Sequence, residues 1–133
     1  MSRNIEFLKE YIKANVCPIL IDFLESSYIP NCILLSSNID LKELDGYYEN
    51  ENYLPPKWYS KLINDNKNVI VIDNIDSIDK NEQDKFLELI KYRKVSTFDL
   101  PSDVVIIITA KNINKDTISK NIYDLVAHIE ECS

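Results

Sequence analysis

The sequence predicts an α/β protein: a five-stranded, mostly parallel sheet with helices on both faces, in a single domain covering residues 1–133. Three observations lead there. Asn68–Asp76 (NVIVIDNID) and Asp103–Thr109 (DVVIIIT) contain unbroken runs of β-branched apolar residues, the pattern of strands buried on both faces. Shorter apolar runs at 17–21, 31–36 and 125–129 alternate with helix-like segments, as in a parallel sheet with crossover helices. The length of 133 residues, 45% hydrophobic and 28% charged, suits one ordinary core and no second domain.

The elements follow in order. Ser2 is placed to cap a helix whose apolar positions Ile5, Leu8 and Ile12 keep helical spacing. Cys17–Ile21 is the first strand, with Pro18 near its start, where a missing N–H is tolerated. Asp22–Tyr28 leaves room for only a very short helix before Pro30, and Asn31–Ser36 is the second strand. A short helix is expected at Leu41–Leu44. Tyr47, Tyr48, Tyr53, Trp58 and Tyr59 then cluster around Pro55-Pro56, and a helix starting at Pro56 or Lys57 runs to Ile63. After the central strand, Asp79-x-x-Glu82 has capping-box spacing and opens a helix that buries Phe86, Leu89 and Ile90 and ends near Arg93. A loop or small hairpin at 95–101 precedes the strand at 103–109. A last helix from Asp116 or Thr117 to about Tyr123 precedes the final strand, Leu125–Ile129.

Composition removes several functions. No apolar run approaches the roughly 20 residues of a membrane span, and the N-terminus has no signal-peptide pattern, so a cytoplasmic, membrane-free protein is expected. Cys17, Cys32 and Cys132 are odd in number and scattered, which fits small hydrophobes in a reducing compartment. One His and no paired cysteines argue against zinc. A net charge of −7 does not suit a phosphate backbone, so no nucleic-acid partner is expected. Average usage would give about nine glycines; the chain has one, Gly46. Glycine-rich phosphate loops need several, so that backbone amides can approach the phosphates. Twenty Ile and fourteen Asn indicate an AT-rich genome.

The candidate site lies at the end of the central strand. Asp73 and Asp76 stand at its carboxyl end, where open α/β sheets bind ligands. Asp73 is the candidate metal ligand. Tyr47, Tyr48, Tyr53, Trp58 and Tyr59 are candidates for a protein interface, because Tyr and Trp are enriched there; the same residues also serve to cap a sheet edge.

From Asn31 onward the chain resembles the nucleotide-binding core of AAA+ ATPases, in particular the MoxR-like branch. Leu44-Asp45-Gly46-Tyr47 looks like that family's glycine-containing turn, Asn68–Asp76 like its Walker B strand, and Asn81–Lys94 like the helix that follows. VVIIITAKN at 104–112 looks like its sensor 1 strand, with Thr109 or Asn112 as the sensor-like pair. The resemblance implies a minimised P-loop NTPase or RecA-like core, with Asn74, Thr109 and Asn112 as the neighbours of Asp73 in a metal or nucleotide site. Asp22–Asn31, where the Walker A loop is expected, contains no Gly and no Lys, and the family's helical lid after the last strand is expected to be missing. The position of the general base is Asn74, and an amide does not accept a proton near neutral pH. No Arg stands in 121–124, where a finger is expected. Phosphoryl transfer needs those groups together with the metal.

The expectation is therefore a catalytically inactive AAA+-like domain, needing no cofactor, that acts as a structural or regulatory subunit with itself or with an active ATPase. Two alternatives stay open. One is a receiver-like phosphoacceptor or metal-dependent module using Asp73, with Asp22, Thr109 and Lys111 around it. The other is a nucleotide-binding module without a P-loop, holding Mg²⁺ and ATP at the strand tips.

Overall fold

The computed structural model describes residues 19–22, 31–111 and 116–129, the side chains of 19–22 and 127–129 excepted. The expected N-terminal helix, the segment Phe23–Pro30 and Asn112 lie outside the described residues. Five strands, β1 (Ile19–Asp22), β2 (Cys32–Ser36), β5 (Val69–Asp73), β8 (Val105–Ala110) and β9 (Ala127–Ile129), form one sheet in the order β2-β5-β8-β1-β9. Every neighbouring pair is parallel. Two antiparallel hairpins stand apart from it: β3 (Tyr47–Glu49) with β4 (Asn52–Leu54), and β6 (Lys94–Val95) with β7 (Phe98–Asp99).

The two apolar runs read from the sequence occupy the middle of this sheet. Val69 to Ile72 of β5 are at most 1% exposed and all six residues of β8 are buried. Full burial of each such aliphatic side chain contributes about 1.5–3 kcal/mol, so these two strands are the energetic centre of the chain. Their registry, Val69↔Val105 through Ile72↔Ile108, sets Asp73 and Thr109 side by side at the carboxyl ends.

The helices are short: α1 (Leu41–Leu44), α2 (Lys57–Asn64), α3 (Lys80–Gln83), α4 (Leu87–Tyr92) and α5 (Lys120–Tyr123). None of the described helices is long and apolar enough to cross a membrane. The single helix expected over 81–94 is instead α3 and α4 joined by a 3₁₀ turn, Asp84–Phe86. Phe86, Leu89 and Ile90 are buried as expected. The capping box does not form: Asp79 is the N-cap residue, but its side chain makes no cap bond and its carbonyl receives the N–H groups of Glu82 and Gln83. The last helix starts at Lys120, later than expected, because Asp116 and Thr117 form a turn.

The aromatic stretch before Pro55-Pro56 forms the β3–β4 hairpin, which was not expected from the sequence, and it explains the sole glycine. A Cβ on Gly46 would lie 2.5 Å from the Leu54 carbonyl oxygen and 2.8 Å from the Tyr53 ring. Left-handed backbone is supplied by other residues: Asn31, Asn50, Glu51, Asn66, Asn74, Arg93 and Ser96 all have positive φ. Four of the seven are Asn, whose short polar side chain tolerates that region better than most. The abundant asparagines therefore stand in for glycine at turns.

Candidate functional site

The site is built where β2, β5 and β8 end. Asp73 closes β5 and is half-buried; Thr109, on β8, is 3% exposed. The Thr109 hydroxyl donates to Asp73 Oδ1 at 2.9 Å and accepts the backbone N–H of Asn74 at 2.8 Å. Asn74 has φ 60° and ψ 53°, so the chain turns sharply into a 3₁₀ turn, Ile75–Ser77. That turn is held from two sides: Asp76 Oδ1 accepts the Lys111 N–H at 3.1 Å, and the Ser77 and Ser37 hydroxyls are 2.8 Å apart. Ser37 itself donates its N–H to the Asp73 carbonyl at 3.2 Å. The arrangement is a closed set of hydrogen bonds tying three strand ends together. Asp73 has one carboxylate oxygen engaged by the protein.

Of the candidate metal or nucleotide residues, the fold brings Asp73, Asn74 and Thr109 into direct contact, and Asn112 lies outside the described residues. Asp22 ends β1, its backbone paired with Ala110 of β8. Among the described residues, no group of three or more His, Cys, Asp or Glu gathers as a metal site. Cys32 is a free, half-buried thiol on β2.

The receiver-like alternative meets an obstacle in the strand order. Receivers have the order 2-1-3-4-5, in which the first strand lies between the second and the third. Here β1 lies beyond β8, and β5 pairs directly with β2. The first-strand acid and Asp73 are thus separated by a whole strand, which the linear sequence does not reveal.

The five aromatic candidates divide. Trp58 is 9% exposed, and its indole N–H donates to the Leu44 carbonyl at 3.0 Å, so it belongs to the core. Tyr59 is half-buried, with its hydroxyl on the Asp99 carbonyl at 2.6 Å. Tyr53 stacks on Phe98, with ring centroids 5.7 Å apart, and donates to Ser96 Oγ at 2.6 Å. Tyr53 thus fastens the two hairpins to each other, and Tyr59 ties α2 to the second of them. Tyr47 and Tyr48 face solvent, the latter 76% exposed.

Two features went unread in the sequence. Gln83, fully buried, donates to the Ile78 and Thr117 carbonyls at 3.2 and 2.8 Å and accepts the Ser119 N–H at 2.7 Å. It braces α3 against the segment entering α5, and a lone Gln in a polar helix face gives no warning of that. Arg93, near which the helix was expected to end, places Nη2 on the Pro101 and Val104 carbonyls at 3.1 and 2.6 Å. Its guanidinium fastens the β6–β7 hairpin to the start of β8.

No protein-family description matches the chain, and no curated protein matches its sequence. Matches exist among solved structures, 41 chains in all. One is a protein of Cytophaga hutchinsonii ATCC 33406 called "a putative ATPase", with a TM-score of 0.62 and 12% sequence identity. The alignment covers 99% of this chain and 46% of that one, so this chain spans less than half of that protein's length. At such identity the similarity establishes the fold alone. It is an α/β fold compatible with a P-loop NTPase-like core.

Proposed function

We propose that this chain is a catalytically inactive AAA+-like domain on a reduced P-loop NTPase or RecA-like core, acting as a structural or regulatory subunit with itself or with an active ATPase. The observation that carries the reading is the strand tip. Asp73 takes the Thr109 hydroxyl, and the next residue is Asn74, whose backbone N–H closes on the same oxygen. The carboxylate that would hold Mg²⁺ serves here to join β5 to β8, and the neighbouring side chain is an amide unable to act as a base. The fold shared with the Cytophaga hutchinsonii protein supports the AAA+-like assignment. The missing Gly and Lys between the first two strands, already visible in the sequence, support inactivity. The charge of −7 supports a protein partner over nucleic acid.

Two measurements test this. Purified chain with ATP and Mg²⁺ is expected to release no phosphate above the blank; turnover abolished by Asp73→Asn would overturn the reading. Thermal unfolding is expected to be unchanged by 10 mM Mg²⁺ with ATP. A ligand present at 100 times its dissociation constant would stabilise the fold by about 2.7 kcal/mol, a shift of several degrees. Light scattering on the chain alone, and purification from the native source with identification of associated proteins, then test the association itself.

A further inference from the structure

Among the described residues, β2 is an outer strand of the sheet, and two hollows lie against it. A hollow of about 490 Å³ is lined by the apolar side chains of Leu34, Leu35, Ile39, Tyr47, Pro56 and Trp58 and by Lys42, Glu43 and Lys57. Adjacent residues of a strand point to opposite faces. A hollow touching both Leu34 and Leu35 therefore wraps the strand's edge. Next to it lies a second hollow of about 370 Å³ that shares Leu34, Ile39 and Glu43. Its remaining lining is Ser36, Asn38 and Asp40, so it contains two carboxylates and no cation.

The backbone on this edge is oriented for pairing. Ser37 gives its N–H to Asp73 of β5. By the alternation of a strand, Ile33 and Leu35 also address β5, while the N–H and C=O of Leu34 and the N–H of Ser36 point outward. Leu34 is 51% exposed, an uncommon state for a Leu at the centre of a strand. The chain next to the groove is strongly acidic: residues 40–51 hold five carboxylates (Asp40, Glu43, Asp45, Glu49, Glu51) against one Lys.

We infer that the β2 edge is a docking site for an extended segment of a partner protein in which apolar residues alternate with Lys or Arg. The segment pairs with the Leu34 backbone as a sixth strand. Its apolar side chains enter the hollow beside Trp58 and Pro56, and its cations lie over Asp40 and Glu43. Strand addition takes its affinity from main-chain hydrogen bonds and its specificity from side-chain pockets, which matches two adjoining hollows at this edge, one mainly apolar and one carrying Asp40 and Glu43. The inference rests on the reading of the chain as an interaction subunit, and it names the surface and the chemistry of what binds there.

The test uses two blocked peptides, (Val-Lys)₃ and (Val-Glu)₃, titrated into the full chain and followed by amide NMR. The lysine peptide is expected to bind, to shift the Leu34 and Ser36 amides and to slow their exchange. The glutamate peptide is expected not to bind. Asp40→Lys with Glu43→Lys should weaken binding by about tenfold or more, as loss of a charge-assisted contact does, and added salt should weaken it further. Leu34→Pro removes an outward N–H on an edge strand, where proline is tolerated, and should abolish binding with the far-ultraviolet spectrum retained. If that variant does not fold, the charge-reversal pair decides. Absence of binding at millimolar peptide, equal binding of both peptides, or binding indifferent to the charge reversal overturns the inference. Light scattering on the chain without peptide separates this outcome from failure of the broader reading. Self-association that persists with an inert β2 edge removes only the surface assignment.

Discussion

Replacing Thr109 by Val tests whether the strand tip is a structural brace. The substitution preserves the branched shape and the strand preference, and removes only a hydroxyl. That hydroxyl makes two hydrogen bonds, one received from the Asn74 N–H and one given to Asp73. A neutral hydrogen bond contributes about 0.5–1.5 kcal/mol, and one to a charged group about 1.5–3 kcal/mol. Asp73 is half-buried and regains water on losing its partner, so the lower end applies to it. The Asn74 N–H is held in a left-handed turn beside a strand end and loses its acceptor outright. The expected loss is about 2–3 kcal/mol. Urea unfolding read by Trp58, the sole tryptophan and a core residue, should show the midpoint falling by about 1–2 M at the slope usual for small domains. Thr109→Ser keeps the hydroxyl and removes one methyl, so it should lose only about 1 kcal/mol. If Val at 109 unfolds within 0.5 kcal/mol of wild type, or if Ser is as damaging as Val, the brace does not exist and Asp73 is free for another role.

Other expectations concern elements that the site depends on. Gln83→Leu should cost about 3 kcal/mol in the same unfolding assay, because it takes the acceptor from the buried Ser119 N–H and the amide donor from the Ile78 and Thr117 carbonyls; an unchanged midpoint would show that water replaces the amide. Gly46→Ala should destabilise by about 1–3 kcal/mol, since the new methyl meets the Leu54 carbonyl; nuclear Overhauser contacts between β3 and β4 would report whether the hairpin opens. Burial, and then the charge of Glu88, holds the Asp45 carboxyl above its ordinary 3.8. The folded state therefore keeps a proton that the unfolded chain releases, and this group's contribution falls as pH rises from about 3.8 through its raised value. Asp45→Asn should raise the melting temperature at pH 7 and leave it little changed near pH 3, with a flatter dependence between them; a variant that melts lower at pH 7 would contradict this.

The main sheet was legible in the sequence because its strands are marked by a strong, local signal. Unbroken Val and Ile runs leave no polar face, so β5 and β8 had to be buried on both sides, and Asp73 had to stand where β5 leaves the core. The lone glycine argued against a glycine-rich phosphate loop for an equally local reason, since backbone amides approach phosphates poorly past a Cβ. What the sequence did not contain was adjacency. Only the order β2-β5-β8-β1-β9 places Thr109 against Asp73 and sets β1 a strand away from it, and that order comes from the sum of crossover connections and not from any one segment. The aromatic stretch shows the same limit. Tyr47 and Trp58 look alike in composition, yet one faces solvent and the other gives its N–H to Leu44 inside the core. Gln83 was invisible, because its three partners lie five to thirty-six residues away. Residue chemistry thus determined which strands are central. The tertiary structure alone decided that the acid at the central strand's tip is tied to its neighbour and that, among the described residues, β2 is an outer strand of the sheet, because both depend on which strands lie side by side.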